Sequence, residues 1–210
     1  MKHLLPFFLL FAVTSSYAQV FNAGVLGGVS ASQVEGDGFG GYKKAGAIIG
    51  GFTNTAINEK WEAQFEIYYI GKGSQRNPKP DKGDFAAINL HLNYIEIPVL
   101  VKYNYKKFDF ELGLYYAYLL NVSLEDQFGK IDVQNQPFPF KKYDIGGFLG
   151  VQYELIENLF INVRSKNSLL PIRDFNTQDQ NIGLLNKLFN RGWYNLDINF
   201  SLRYQFGKTN

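Results

Sequence analysis

Charged side chains recur singly between apolar ones along much of the chain: Glu62, Glu66, Glu96, Lys102, Asp109, Glu111, Asp144, Glu154, Arg164, Lys166, Asp197 and Arg203. Residue types in this pattern suit carboxylate–cation pairing across a shared interior. Arg164 and Arg203 are candidates for bidentate contacts with carboxylates such as Glu154 or Asp197. Such a chain of groups is either a structural network that fills a bore or a narrow proton or ion path. His91 is the only histidine after residue 3. Catalysis at His91 would need a serine and an acid beside it, and no Ser–His spacing marks such a site. One histidine cannot build a multi-histidine metal centre, so we expect no metal, no cofactor and no catalytic residue. The stretch Glu35–Gly41 (EGDGFGG) mixes acid and glycine but lacks calcium-loop ligand order, and reads as turn chemistry. Lys72–Lys82 (KGSQRNPKPDK) is basic and reads as a solvated loop, with contact to lipopolysaccharide phosphates as the alternative.

Composition narrows the field. The chain has 210 residues, Lys+Arg 21 against Asp+Glu 19, and no cysteine. Thiol chemistry, disulfides and Cys-ligated metals are therefore excluded. The near-neutral balance argues against nucleic-acid partners. Phe 19, Tyr 14 and Trp 2 accompany a mean hydropathy of only −0.18, so the aromatics need an explanation other than a large dry core. Residues 1–18 read as a cleaved signal peptide: Lys2, an apolar run Leu4–Val13, and small residues at Ser16 and Ala18. The domain then covers 19–210.

The elements that must position these charges alternate with period two, the strand signature. Eight strands are expected at roughly 21–32, 44–53, 60–71, 88–104, 108–121, 143–155, 159–168 and 193–206. In the last, Leu196, Ile198, Phe200 and Leu202 oppose Asp197, Asn199, Ser201 and Arg203. Ile88, Leu90 and Leu92 take the opposite parity from Ile95, Ile97 and Val99, which predicts a β-bulge near Asn93 or Tyr94. Pro98 should mark a local irregularity, since it has no N–H to donate. Short connections (about 54–59, 105–107 and 156–158) alternate with long polar ones. That alternation is the transmembrane barrel pattern, with both termini periplasmic and the long loops outside. The last long connection, Ser168–Arg191, carries Ile182, Leu185, Leu188 and Phe189 at helix-like spacing, an apolar face that can fold over the barrel mouth or meet a partner.

A soluble lipocalin-like carrier would turn the apolar faces inward, a membrane barrel outward. Aromatics at strand ends favour the membrane. Trp61, Tyr103, Phe108, Tyr153, Tyr204 and Phe206 would ring the short-turn rim, and Tyr69, Tyr118, Tyr143 and Tyr194 the loop rim. The expected fold is therefore an all-β, eight-stranded antiparallel up-and-down transmembrane β-barrel. Its interior is just wide enough for side chains to fill.

With the strands laid out, the chain resembles the PorT-like family of bacterial outer-membrane β-barrel proteins. Glu66–Ser74 (EIYYIGKGS) resembles that family's strand ending in Lys-Gly. Asn93–Tyr103 (NYIEIPVLVKY) matches its Tyr-x-Glu-Ile-Pro-x-Leu-x-Lys-Tyr strand. Leu112–Leu120 (LGLYYAYLL) and Tyr143–Tyr153 (YDIGGFLGVQY) resemble the strands that follow, although Leu114 stands where proline is common. The resemblance implies a non-enzymatic outer-membrane barrel, surrounded by outer-membrane lipid and inserted by the barrel-assembly machinery. It also implies an envelope-structural role or one in a secretion complex, since one member is needed for type IX secretion. The alternatives are a narrow small-solute channel and a lipid-modifying enzyme.

Overall fold

The computed structural model describes residues 21–78, 80–133, 138–174 and 192–206. Eight long strands form the wall: β1 Phe21–Glu35, β2 Lys44–Ala56, β3 Trp61–Arg76, β4 Ile88–Tyr105, β5 Phe108–Asp126, β7 Tyr143–Ile156, β8 Leu159–Ser168 and β10 Gly192–Phe206. Two short strands, β6 Gly129–Ile131 and β9 Arg173–Asp174, extend β5 and β10. Every neighbouring pair in the wall is antiparallel, and β1 pairs with β10 from Ala23 opposite Phe206 to Glu35 opposite Tyr194. The ring is closed, so the wall has no free edge.

Alternation sets which way each side chain faces. On β5, Phe110, Leu112, Leu114, Tyr116 and Tyr118 are exposed, while Glu111, Tyr115 and Ala117 between them are buried. Leu114 is 61% exposed and Glu111 3%. The apolar face therefore points out of the barrel and the charged face in, the reverse of a soluble carrier. Gly- and Ala-rich β1 and β2, whose parity the sequence leaves ambiguous, resolve the same way: Leu26 and Ser30 on β1, and Ile48 and Phe52 on β2, are buried.

The expected β-bulge is present, but on the other strand. Asn93 pairs with Asn121 and Tyr94 with Leu119, so the extra residue is Leu120 of β5. β4 keeps one parity throughout, and Leu90 and Leu92 point inward. β5 switches instead: Leu119 faces in, Leu120 and Asn121 are exposed, and Val122 and Leu124 return to the core. The inward apolar side chains belong to an apolar upper interior rather than to a reversed strand. Opposite Pro98, the β3–β4 ladder is interrupted between Phe65–Val99 and Tyr68–Glu96.

Short turns link β2–β3, β4–β5 and β7–β8 at one end. Lys106 and Asn158 adopt φ of 59° and 66° in two-residue turns, a conformation that asparagine tolerates better than lysine. The four long connections lie at the other end. There, β3, β4 and β5 run on beyond β2, whose ladder with β3 starts only at Ile48–Ile70. Ser30 and Ser32, inward on β1, donate to the carbonyls of Gly71 (2.5 Å) and Gly73 (3.2 Å). The top of β3 thus crosses the inner face of the β1–β2 hairpin. Gly46 permits this crossing, since a Cβ there would overlap the Gly71 carbonyl. The bent extension caps the long-loop end with Ile70, Leu90, Leu92 and Leu119. Val34, Val133, Phe140 and Ile172 pack with them.

Candidate functional site

Below the apolar cap the interior is ionic, and its members come from six strands, β3, β4, β5, β7, β8 and β10. All twelve charged residues singled out from the sequence lie on inward positions, in three tiers. Nearest the short turns, Lys102 pairs with Glu62 at 2.9 Å, and Gln152 donates to Asp109 at 2.9 Å. These residues and Glu154 line a cavity of about 120 Å³ that includes Lys106 and Lys107.

The middle tier is built on Arg164 of β8. Its Nη1 and Nη2 donate to Glu66 Oε2 and Oε1, each at 2.7 Å, and its Nε donates to Glu111 Oε2 at 2.6 Å. Arg203 of β10 adds a 2.6 Å bond to Glu66 Oε1, and Asn162 one of 2.9 Å to Glu111. Gln64 also donates to Glu66. The guanidinium lies over the Phe148 ring, 4.6 Å from its centroid. The carboxylates that receive the two arginines are thus Glu66 and Glu111, not Glu154 or Asp197. Glu154 sits too near the short-turn mouth, and Asp197 belongs to the tier above.

In the upper tier, Lys72 lies 2.9 Å from Glu96, 3.2 Å from Asp197 and 3.8 Å from Asp144. Lys166 pairs with Glu96 and donates to Tyr68 Oη, which donates to Glu96 at 2.6 Å. Asn195 and Tyr115 donate to Asp144. Lys72 is the residue that sequence reasoning missed, by ending the third strand at residue 71 and assigning the rest to a basic loop. The missed signal was parity: Lys72 continues the inward series Gln64, Glu66, Tyr68, Ile70.

Among the buried wall residues below the cap, five acids (Glu66, Glu96, Glu111, Asp144, Asp197) face five bases (Lys72, Lys102, Arg164, Lys166, Arg203). Buried charges need such pairing, because an unpaired ion in a dry interior costs several kcal/mol. The space between Tyr68, Arg164 and Arg203 measures about 10 Å³, room for one water at most.

Aromatic rings mark both rims. At the short-turn rim, Trp61 contacts Tyr103 (centroids 5.2 Å apart), Phe108 contacts Tyr153 (4.8 Å) and Tyr204 contacts Phe206 (5.6 Å). Toward the loops, Tyr118 stands opposite Tyr143, and Tyr69 donates to Asn93. Tyr194 does not join this rim: it is 9% exposed. Phe108 and Tyr118 are ten residues apart on β5. That is about 33 Å of strand, which a tilt of about 40° brings to about 25 Å, the height of an outer-membrane apolar band.

His91 accepts a 2.8 Å hydrogen bond at Nε2 from Lys44, which also donates to Asn89 at 2.8 Å. The loop of residues 36–43 is a turn structure, with Gly36, Gly38 and Gly41 at φ of 94°, 83° and 100°. No group of three or more potential metal-ligating side chains occurs among the described residues. Residues 1–18 and the apolar face Ile182, Leu185, Leu188 and Phe189 lie outside the described residues.

The comparisons with known proteins agree with this architecture. The sequence profile of the outer membrane protein beta-barrel domain family matches residues 17–174. No curated protein matches the chain. Among solved structures, the chain is similar to Neisserial surface protein A (NspA), at 11% identity and a TM-score of 0.51, over 89% of this chain and 97% of that one. It is also similar to Ail, the attachment invasion locus protein of Yersinia pestis, at 12% identity and a TM-score of 0.49, over 88% and 98%. A structure of Ail in complex with the heparin analogue sucrose octasulfate gives 12% identity and a TM-score of 0.48, over 89% and 99%. A closed ring with its apolar face outward, its charges inward and a family match over most of its length has one reading: the chain belongs to the outer membrane protein beta-barrel domain family and is a protein of the outer membrane.

Proposed function

We propose that this is a non-conducting, non-enzymatic barrel of PorT-like type, acting as an envelope scaffold or as a member of a secretion or assembly complex. The observation that carries this reading is the filled interior. A through-path would have to cross three ion-paired tiers and then the apolar cap, which offers an ion no partners. Function then falls to the rims and loops. In this reading the signal peptide 1–18 is removed, the barrel-assembly machinery inserts the chain, the short turns face the periplasm and the long loops face outward. The non-enzymatic part is supported at His91. Ser123 lies opposite it in the β4–β5 ladder, but the basic nitrogen is engaged by the Lys44 ammonium instead of a serine hydroxyl.

Two measurements test the proposal. Purified barrel in planar bilayers should show no stable conductance, and sizeable steady pores would overturn the sealed reading. Affinity purification from native membranes should recover envelope or secretion proteins in fixed ratio, whereas recovery of the barrel alone would remove the scaffold role. A His91→Ala strain with an altered lipid A profile would reinstate the enzyme.

A further inference from the structure

At the long-loop end, outside the barrel interior, the loop of residues 36–43 and the end of β3 enclose a cleft of about 280 Å³. Its working residues are Phe39, Lys43, Gln75, Arg76, Asn77 and Asp84. Both walls are braced. The Phe39 amide donates to Asp37 (2.7 Å), and the Gly41 amide donates to Gln33 (2.6 Å). Arg76 donates to Asp84 at 2.7 Å and lies over the Phe39 ring, 5.4 Å from its centroid. Asp84 in turn accepts from the Ala86 amide. The concavity is therefore held by its own hydrogen bonds.

We propose that this cleft binds a carboxylated sugar, such as a hexuronate residue of a glycan. The chemistry divides by residue. Phe39 offers an apolar ring to the C–H face of a pyranose. Gln75 and Asn77 are joined by a 2.9 Å bond between their amides and Asp84 is bonded to Arg76, and the N–H groups and lone pairs beyond those bonds face the sugar hydroxyls. Lys43 and Arg76 supply charge for an anion. Two cations against one acid leave a net charge of one, which matches a single carboxylate better than a doubly charged phosphate, which Asp84 would repel. A site for a bare anion would need neither Phe39 nor the two amides. The volume is near the lower end of small-ligand sites.

The proposal does not rest on the sealed lumen, so its test is independent of the conductance measurement. The full-length barrel in lipopolysaccharide-free nanodiscs is titrated with D-glucuronate, D-glucose and glucose 6-phosphate, by calorimetry or amide chemical shifts. Glucuronate should bind at least about tenfold more tightly than the other two, the size of one charge-assisted contact. Lys43→Ala and Phe39→Ala should each weaken it about tenfold while heat-modifiable gel migration is unchanged. Asp84→Asn should shift preference toward the phosphate. Equal binding of glucose, a preference of the unaltered protein for the phosphate, no response to either alanine variant, or no binding at about tens of millimolar would each overturn the site. Competition by nanodisc-embedded lipopolysaccharide would locate the sugar in the cell's own leaflet. Competition only by a soluble uronate-bearing oligosaccharide would locate it outside.

Discussion

Removing the Arg164 side chain would leave Glu66 and Glu111 facing each other without their shared partner. Breaking a buried pair in this way costs about 3–5 kcal/mol, so Arg164→Met should sharply lower the urea midpoint of the folded barrel in vesicles. Replacing Glu66, Glu111, Arg164 and Arg203 together with neutral side chains of similar size should recover most of that loss, because no ion is then stranded. A midpoint equally low in both would mean that the tier contributes shape, not charge pairing. Asp37 gives a second test, in the loop beyond the wall. Its pKa is raised from 3.8 by burial, against the opposing effects of hydrogen bonds from Ser74 and the Phe39 amide. The ordered loop therefore holds its proton more tightly than the unfolded loop does. Its stability is greatest in acid, declines as pH rises from about 3.8 through the folded pKa, and then levels off. Hydrogen exchange at the Phe39 amide should follow that profile, and Asp37→Asn should flatten it.

Element boundaries were legible because period-two alternation survives wherever one face meets lipid and the other meets charge. All eight strand positions and the three short turns could be read, although the Gly- and Ala-rich β1 and β2 left their parity open. The upper ends of β3 and β5, and the parity of upper β4, were not legible. There the inner face is apolar too, so Leu90 and Leu92 imitate a reversed strand and Lys72 imitates a loop. Alternation reports contrast between two faces and falls silent when the contrast disappears. The partners of Arg164 and Arg203 were also illegible, since they depend on the stagger between strands whose paired residues lie 53 to 137 positions apart in sequence. The crossing of β3 over β1 supplies a prediction at this scale. A Gly46→Val substitution places branched carbons against the Gly71 carbonyl. It should free the β3–β4 extension, seen as protease cleavage near residues 77–87, while the barrel below keeps its heat-modifiable migration. Cleavage unchanged from the parent would show that the crossing bears no strain.

For the molecule as a whole, the two tryptophans report on opposite environments. Trp61 is exposed at the short-turn rim, whereas Trp193 packs within the cap, against Phe140 and under Arg173. In vesicles containing brominated lipid, Trp193→Phe should leave fluorescence that is strongly quenched, and Trp61→Phe fluorescence that is largely protected. The reverse order would place the bilayer elsewhere on the wall. The closing ladder between β1 and β10 has a kinetic consequence. It joins residues from opposite ends of the chain, such as Ala23 and Phe206, and contacts at that separation form late and slowly. Until they form, both strands present unpaired backbone beside an apolar outer face, the arrangement most prone to pairing with a neighbouring molecule. The completed ring resists aggregation because it has no edge, whereas its precursor has two edges for as long as the last strand is missing. The two strands that must meet last, β1 and β10, are therefore the ones that need cover until the ring closes.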